Sequence, residues 1–173
     1  MKRILLICSL LLCFSSNAFS QLERVDLWIN GYFEATIKIE QEKYIVLSCN
    51  GELIDVLFEG DASYGMGGKL SRVGSVNFSY NMNGQLSKAG SVDFSYDMNR
   101  KLSGINYGMS FTYDMSKRLS GINYGISLAY DMSGRLYHVD HKYTYSYNMD
   151  GKMNSGTRRF KIKDISFNIR GGM

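Results

Sequence analysis

Apolar and polar positions alternate along most of this chain, in short runs that end at glycines. Val92, Phe94 and Tyr96 alternate with Ser91, Asp93 and Ser95. Met109, Phe111 and Tyr113 alternate with Ser110 and Thr112, and Ile126, Leu128 and Tyr130 with Ser127 and Ala129. Tyr143, Tyr145 and Tyr147 alternate with Thr144 and Ser146. A period of two places the apolar set on one face of a strand, the pattern of a half-buried antiparallel sheet. Aligned on Tyr64, Tyr80, Tyr96, Tyr113, Tyr130 and Tyr147, the chain resolves into six units spaced by 16, 16, 17, 17 and 17 residues. They share Y-[D/N/G]-M-x-x-[K/R/Q]-[L/M], and Leu102–Gly108 recurs unchanged as Leu119–Gly125. Fixed periodicity of this kind marks a repeat architecture built from one small supersecondary unit.

The turn chemistry sets the register. In Asp131-Met132-Ser133-Gly134-Arg135 the aspartate suits the first position of a type I turn and the glycine the left-handed fourth. This predicts a three-residue loop closed by a glycine bulge, with Asp131 opposite Arg135 and Tyr130 opposite Leu136. Gly84 and Gly151 repeat the logic, whereas Arg100 and Lys117 occupy the glycine position and predict strain or another turn type. Leu102 and Ile105 are three apart, as are Leu119 and Ile122. A bulge at Gly104 and Gly121 would bring each pair to one face.

The segment before the repeats differs. Asn30-Gly31 and Asn50-Gly51 each lie between apolar runs, a strong hairpin signal, and predict strands over 24–29, 32–40, 44–49 and 52–58. Ile45, Leu47, Ile54, Val56 and Phe58 would share one face of the second hairpin, and Tyr44, Val46, Leu53 and Leu57 the other. Apolar character on both faces implies cover on both sides. The expected fold is all-β, an antiparallel β-hairpin repeat meander forming one elongated or partly rolled sheet. Residues 1–20 read as a signal peptide, 21–63 as an N-terminal β cap, 64–156 as six tandem units and 157–173 as closing strands.

Tyr145-Ser146-Tyr147-Asn148-Met149-Asp150-Gly151-Lys152-Met153 and Asp131-Met132-Ser133-Gly134-Arg135-Leu136 resemble the YD repeats of bacterial Rhs-type proteins. Tyr80-Asn81-Met82-Asn83-Gly84-Gln85-Leu86 is similar, less closely, to MORN-type repeats. Both resemblances imply antiparallel hairpins. Large YD proteins coil them into a shell around a toxin domain; the shorter period and small size here argue against a shell.

Composition changes the picture at three points. Lys2 and Arg3, an apolar run over 4–14 and Ala18-Phe19-Ser20 form a secretory signal cut after Ser20, and that apolar run is too short to span a bilayer. Cleavage leaves 153 residues and removes two of the 20 basic side chains, against 16 acidic ones, so the net charge falls from +4 to +2. So small a charge gives no argument for nucleic acid, and Arg158, Arg159, Lys161 and Lys163 read as a solvated strand face. Two of the three cysteines also lie in the signal, leaving Cys49 as a buried free thiol. A period of 16 or 17 residues holding two strands and two turns leaves strands too short for a membrane barrel, whose strands need about 9–11 residues.

Candidate chemistry is sparse. His138-Val139-Asp140-His141 is the one cluster with metal-ligand side chains, but histidines three apart do not share a strand face, so no metal and no cofactor are expected. Met82, Met98, Met115, Met132 and Met149 are expected to cover the hairpin ends. Tyr80, Tyr96, Tyr113, Tyr130 and Tyr147 form a column with two readings: exposed rings that stack on a ligand, or cross-strand partners of the leucines within the core. Identical tandem units suit an extended surface, since a catalytic centre needs unique residues in unique places. The expected function is therefore a non-enzymatic scaffold or binding protein, secreted or in the cell envelope, with a glycan or an envelope protein as partner. The alternative is a carbohydrate-binding module using the tyrosine column.

Overall fold

The computed structural model describes residues 21–106, 108–123 and 125–171; the predicted signal lies outside them. The fold is all-β. In chain order the strands are β1 (Leu22–Trp28), β2 (Phe33–Glu40), β3 (Lys43–Ser48), β4 (Leu53–Val56), β5 (Ala62–Tyr64), β6 (Leu70–Val73), β7 (Val76–Tyr80), β8 (Leu86–Ala89), β9 (Val92–Tyr96) and β10 (Leu102–Ile105). They continue as β11 (Met109–Tyr113), β12 (Leu119–Ile122), β13 (Ile126–Tyr130), β14 (Leu136–Val139), β15 (Tyr143–Thr144), β16 (Ser146–Tyr147), β17 (Met153–Ser155), β18 (Arg159–Ile162) and β19 (Ile165–Arg170).

The repeats form the expected single antiparallel sheet, and the N-terminal cap belongs to a second sheet that shares its core. Strands β5 to β15 form an eleven-stranded antiparallel meander, followed by the β16–β17 hairpin. The second sheet has the order β18-β19-β1-β2-β3-β4. Its one parallel pair, β1 with β19, joins the two ends of the described chain. One apolar cluster takes Val25, Phe33, Ile37 and Leu47 from this sheet and Leu86, Leu102, Phe111 and Leu119 from the meander. Phe33 stacks on Phe111 with centroids 5.3 Å apart. The N-terminal hairpins therefore lie across the face of the repeats. A half-apolar sheet of short strands has to bury that face against another layer, and the N-terminal hairpins with the C-terminal pair supply it.

The turns follow the predicted chemistry. Tyr130 pairs with Leu136, and the Asp131 amide donates to the Arg135 carbonyl at 2.9 Å. Arg100 and Lys117 keep the turn type of their neighbours and take φ of 61° and 62°, where Gly134 takes 77°. An L-residue held left-handed costs about 1–2 kcal/mol. Arg100→Gly and Lys117→Gly should each gain up to about 1 kcal/mol, less the added entropy of unfolded glycine. Gly134→Val should cost more than about 1 kcal/mol. Chemical denaturation of the three variants checks this; an unchanged midpoint for Gly134→Val would exclude the bulged turn.

Two expectations shift by a residue. The register break lies between Leu102 and Gly104, making Ser103 the extra residue, and both Leu102 and Ile105 are buried as the bulge requires. In the second hairpin a break between Val46 and Leu47 turns Leu53 to the side of Ile45, Leu47 and Val56 and leaves Ile54 exposed. Val46 is buried yet lies outside the shared core, so its face of the sheet is sheltered by neighbouring side chains.

Candidate functional site

Each repeat hairpin turns at one long edge of the meander, and the recurrent residues of the motif meet there. In five of the six units the aspartate or asparagine after the tyrosine caps its own turn, and Gly65 stands there in the first. Asp97 Oδ1 accepts the amides of Asn99 and Lys101 at 2.8 Å, and Asp114 those of Ser116 and Arg118 at 2.9 Å. Asn81 accepts those of Asn83 and Gln85 at 3.0 Å. Partial burial would raise the Asp114 carboxyl, but the Arg118 guanidinium and these amides hold it below the usual carboxylate range.

The bulge leaves the leucine that follows each turn with a backbone N–H and C=O to satisfy. The N–H groups of Leu86, Leu102, Leu119 and Leu136 donate to the carbonyls of Gly51, Cys49, Gly31 and Ile29. Those four carbonyls flank the Asn50-Gly51 and Asn30-Gly31 turns, so the N-terminal sheet is docked on four successive units. The carbonyls of the same leucines accept the hydroxyls of Tyr96, Tyr113, Tyr130 and Tyr147 from the following units, at 2.5–2.7 Å. Two of the rings also pack under an arginine of the preceding unit: Arg118 lies 4.5 Å over Tyr130 and Arg135 4.6 Å over Tyr147. Burial pushes the phenols of Tyr96, Tyr113 and Tyr130 up and that of Tyr147 to about 12. Tyr96, Tyr113, Tyr130 and Tyr147 thus stitch one unit to the next.

The column opens at its first end. Tyr80 is half-buried, with the Lys69 ammonium 4.7 Å from its ring centre. Tyr64 has no preceding unit to cover it and is 67% exposed. The two rings, with Asn50, Glu52, Lys69 and Asn83, line an open cleft of about 580 Å³. The exposure of Tyr64 was legible only as an end effect, because its motif matches that of its half-buried sisters.

The methionines do not cover the hairpin ends. Met66, Met82, Met98, Met115, Met132 and Met149 project from the turn tips, 100–108% exposed. The next position varies from Gly67 through Asn83, Asn99, Ser116 and Ser133 to Asp150. Two strands per unit set successive tips about 9–10 Å apart, a row of roughly 45–50 Å.

Elsewhere the sequence-predicted groups are accounted for locally. Cys49 is free and buried, and burial pushes its thiol up. His138 bonds Thr144, its ring 6.3 Å from that of His141, and Asp140 and His141 form a tight turn at positive φ. Among the described residues no three His, Cys, Asp or Glu side chains are placed to share a metal. No described helix is long and apolar enough to cross a membrane. Compared with protein families, curated proteins and solved structures, the chain matches none.

Proposed function

We propose that the protein is an exported, non-enzymatic β-repeat scaffold or binding protein whose working surface is the turn edge of the repeats. One observation carries this reading: the methionine at each tip is the same in all six units, although the fold does not use it. The tyrosines, aspartates and leucines recur because they make bonds. A fully exposed methionine makes none, while the position beside it, also exposed, varies. Constancy there points to contact with a partner, for which methionine's flexible, polarizable side chain is suited. The YD-like turn pattern and the N-terminal signal support an envelope or extracellular address; mass spectrometry of the exported chain should find Gln21 at its N-terminus.

Replacing all six methionines by glutamine should leave stability within about 0.5 kcal/mol, as for surface substitutions generally. It should also abolish retention of the protein on isolated cell envelopes. Retention unchanged by the six substitutions would overturn the assignment of the turn edge.

A second reading, saccharide binding, is favoured by the exposed Tyr64 beside Asn50, Glu52 and Asn83, since an apolar ring flanked by amides suits a sugar face. Here Tyr64→Ala should remove glycan-array binding without changing the melting midpoint. Binding that survives Tyr64→Ala would exclude the cleft.

A further inference from the structure

The two ends of the sandwich are unlike. At one end β15 and β18 are closed by a stack in which Phe160 lies 3.8 Å from Tyr143 and 5.2 Å from Phe167, centroid to centroid. At the other end β4 and β5 leave an apolar cleft of about 350 Å³, lined by Ile54, Val56, Phe58, Ala62, Leu70 and Val73. Ile54 and Leu57 beside it are each 44% exposed. The β4 edge carries no strand partner beyond it, and the Val56 amide is taken by the Asp55 carboxylate at 2.8 Å. An apolar strand edge in this state is a template for another strand.

The charges of the two edges are opposite. Glu52, Asp55, Glu59 and Asp61 are all exposed, with no basic residue between Lys43 and Lys69 in the chain. Arg158, Arg159, Lys161 and Lys163 are exposed on and beside β18, at the far side of the same sheet, with Asp164 the nearest acid in sequence. Among the described residues none of these eight side chains is in an ion pair.

Register and direction also agree. β4 and β18 are four residues each, and the chain of pairings through β3, β2, β1 and β19 makes them run the same way. On β4, Leu53 and Val56 pack against the core and Asp55 is exposed; on β18, Phe160 and Ile162 pack against it and Arg159 and Lys161 are exposed. A copy displaced across the sheet therefore meets β4 with apolar residues facing apolar ones and Arg159 and Lys161 facing Asp55. We propose that this chain associates head to tail with further copies of itself, the basic β18 edge of one copy adding to the acidic β4 edge of the next. Such a contact is heterologous, so it propagates into a ring or filament and extends the six-stranded sheet. It goes beyond the reading of the turn edge and does not depend on it.

The test is sedimentation velocity on the signal-free chain over a concentration series at low ionic strength and in 1 M salt, where the Debye length is about 3 Å. The expected result is concentration-dependent growth at low salt that reverses in high salt. Replacing Glu52, Asp55, Glu59 and Asp61 together by lysine makes both edges basic, and replacing Arg158, Arg159, Lys161 and Lys163 together by glutamate makes both acidic. Each reversed variant should be monomeric alone, and an equimolar mixture of the two should assemble again, because every β4–β18 contact between unlike copies is then complementary. The neutral pair Glu59→Gln with Asp61→Asn should weaken assembly without reversing it, and circular dichroism checks that each variant is folded. A wild-type chain that stays monomeric, or folded charge-reversed variants that assemble alone or fail to reassemble when mixed, would overturn the proposal. Glycan and envelope binding are measured on the monomer in high salt, so those readings and this one fail separately.

Discussion

Raising the pH above 10 should unfold this protein cooperatively. The phenols of Tyr96, Tyr113, Tyr130, Tyr145 and Tyr147 are all pushed up by burial, Tyr147 to about 12 and the other four further. In the unfolded chain they ionise near pH 10. Above that pH the unfolded state has lost protons that the native state retains, so the slope of stability with pH is negative. The stabilisation is complete below about pH 10 and is lost as the pH rises through the native values. Each hydroxyl that ionises also withdraws a donor from a backbone carbonyl of the preceding unit or, for Tyr145, of Thr157. Phenolate absorbance and far-ultraviolet circular dichroism should change together in one transition between pH 10 and 13. Tyrosines that titrate singly near pH 10, with the spectrum of the backbone unchanged, would show that the column is not a structural seam.

Gly51→Val should be among the most damaging single substitutions in the chain. Gly51 has φ of 82°, and a Cβ there would stand 2.5 Å from the ring of Tyr96. Its carbonyl receives the Leu86 amide at 2.9 Å, so the turn cannot move away without breaking a bond between the sheets. Backbone strain of about 1–2 kcal/mol and the clash together predict a loss of about 3 kcal/mol or more. Gly67→Val is the control, since Gly67 has φ of 84° and nothing within 4 Å of its would-be Cβ. It should lose only the backbone share, about 1–2 kcal/mol. Equal losses in urea denaturation would mean that the 50–51 turn is not seated on the repeats.

The correspondence between sequence and structure is closest where contacts are local. The six turns, the Tyr130–Leu136 register and the N-terminal strands followed from residues within a few positions of each other. The bulge was legible from the three-residue spacing of Leu102 and Ile105, though glycine suggested a site one residue away from Ser103. The tyrosine column was legible as a column and as a choice. Alternation says which side chains share a face, not which face another layer covers.

What the sequence by itself determined is the hairpin: its period, turn type, alternating faces and the side chains that recur. These depend on backbone preferences and on hydrogen bonds within five residues, which every copy of the motif carries. The tertiary structure decided the rest. It placed Arg24 beside Ser166 and closed one sheet from both ends of the described chain. It set the Gly31 and Gly51 turns on the leucines of four units, packed Tyr113 half-buried against the core and left Tyr64 open, although their motifs match. Those outcomes depend on what stands next to a unit rather than on what the unit contains. Packing of one sheet on another is a long-range event, and a repeated motif has no local means of encoding its own place in the array.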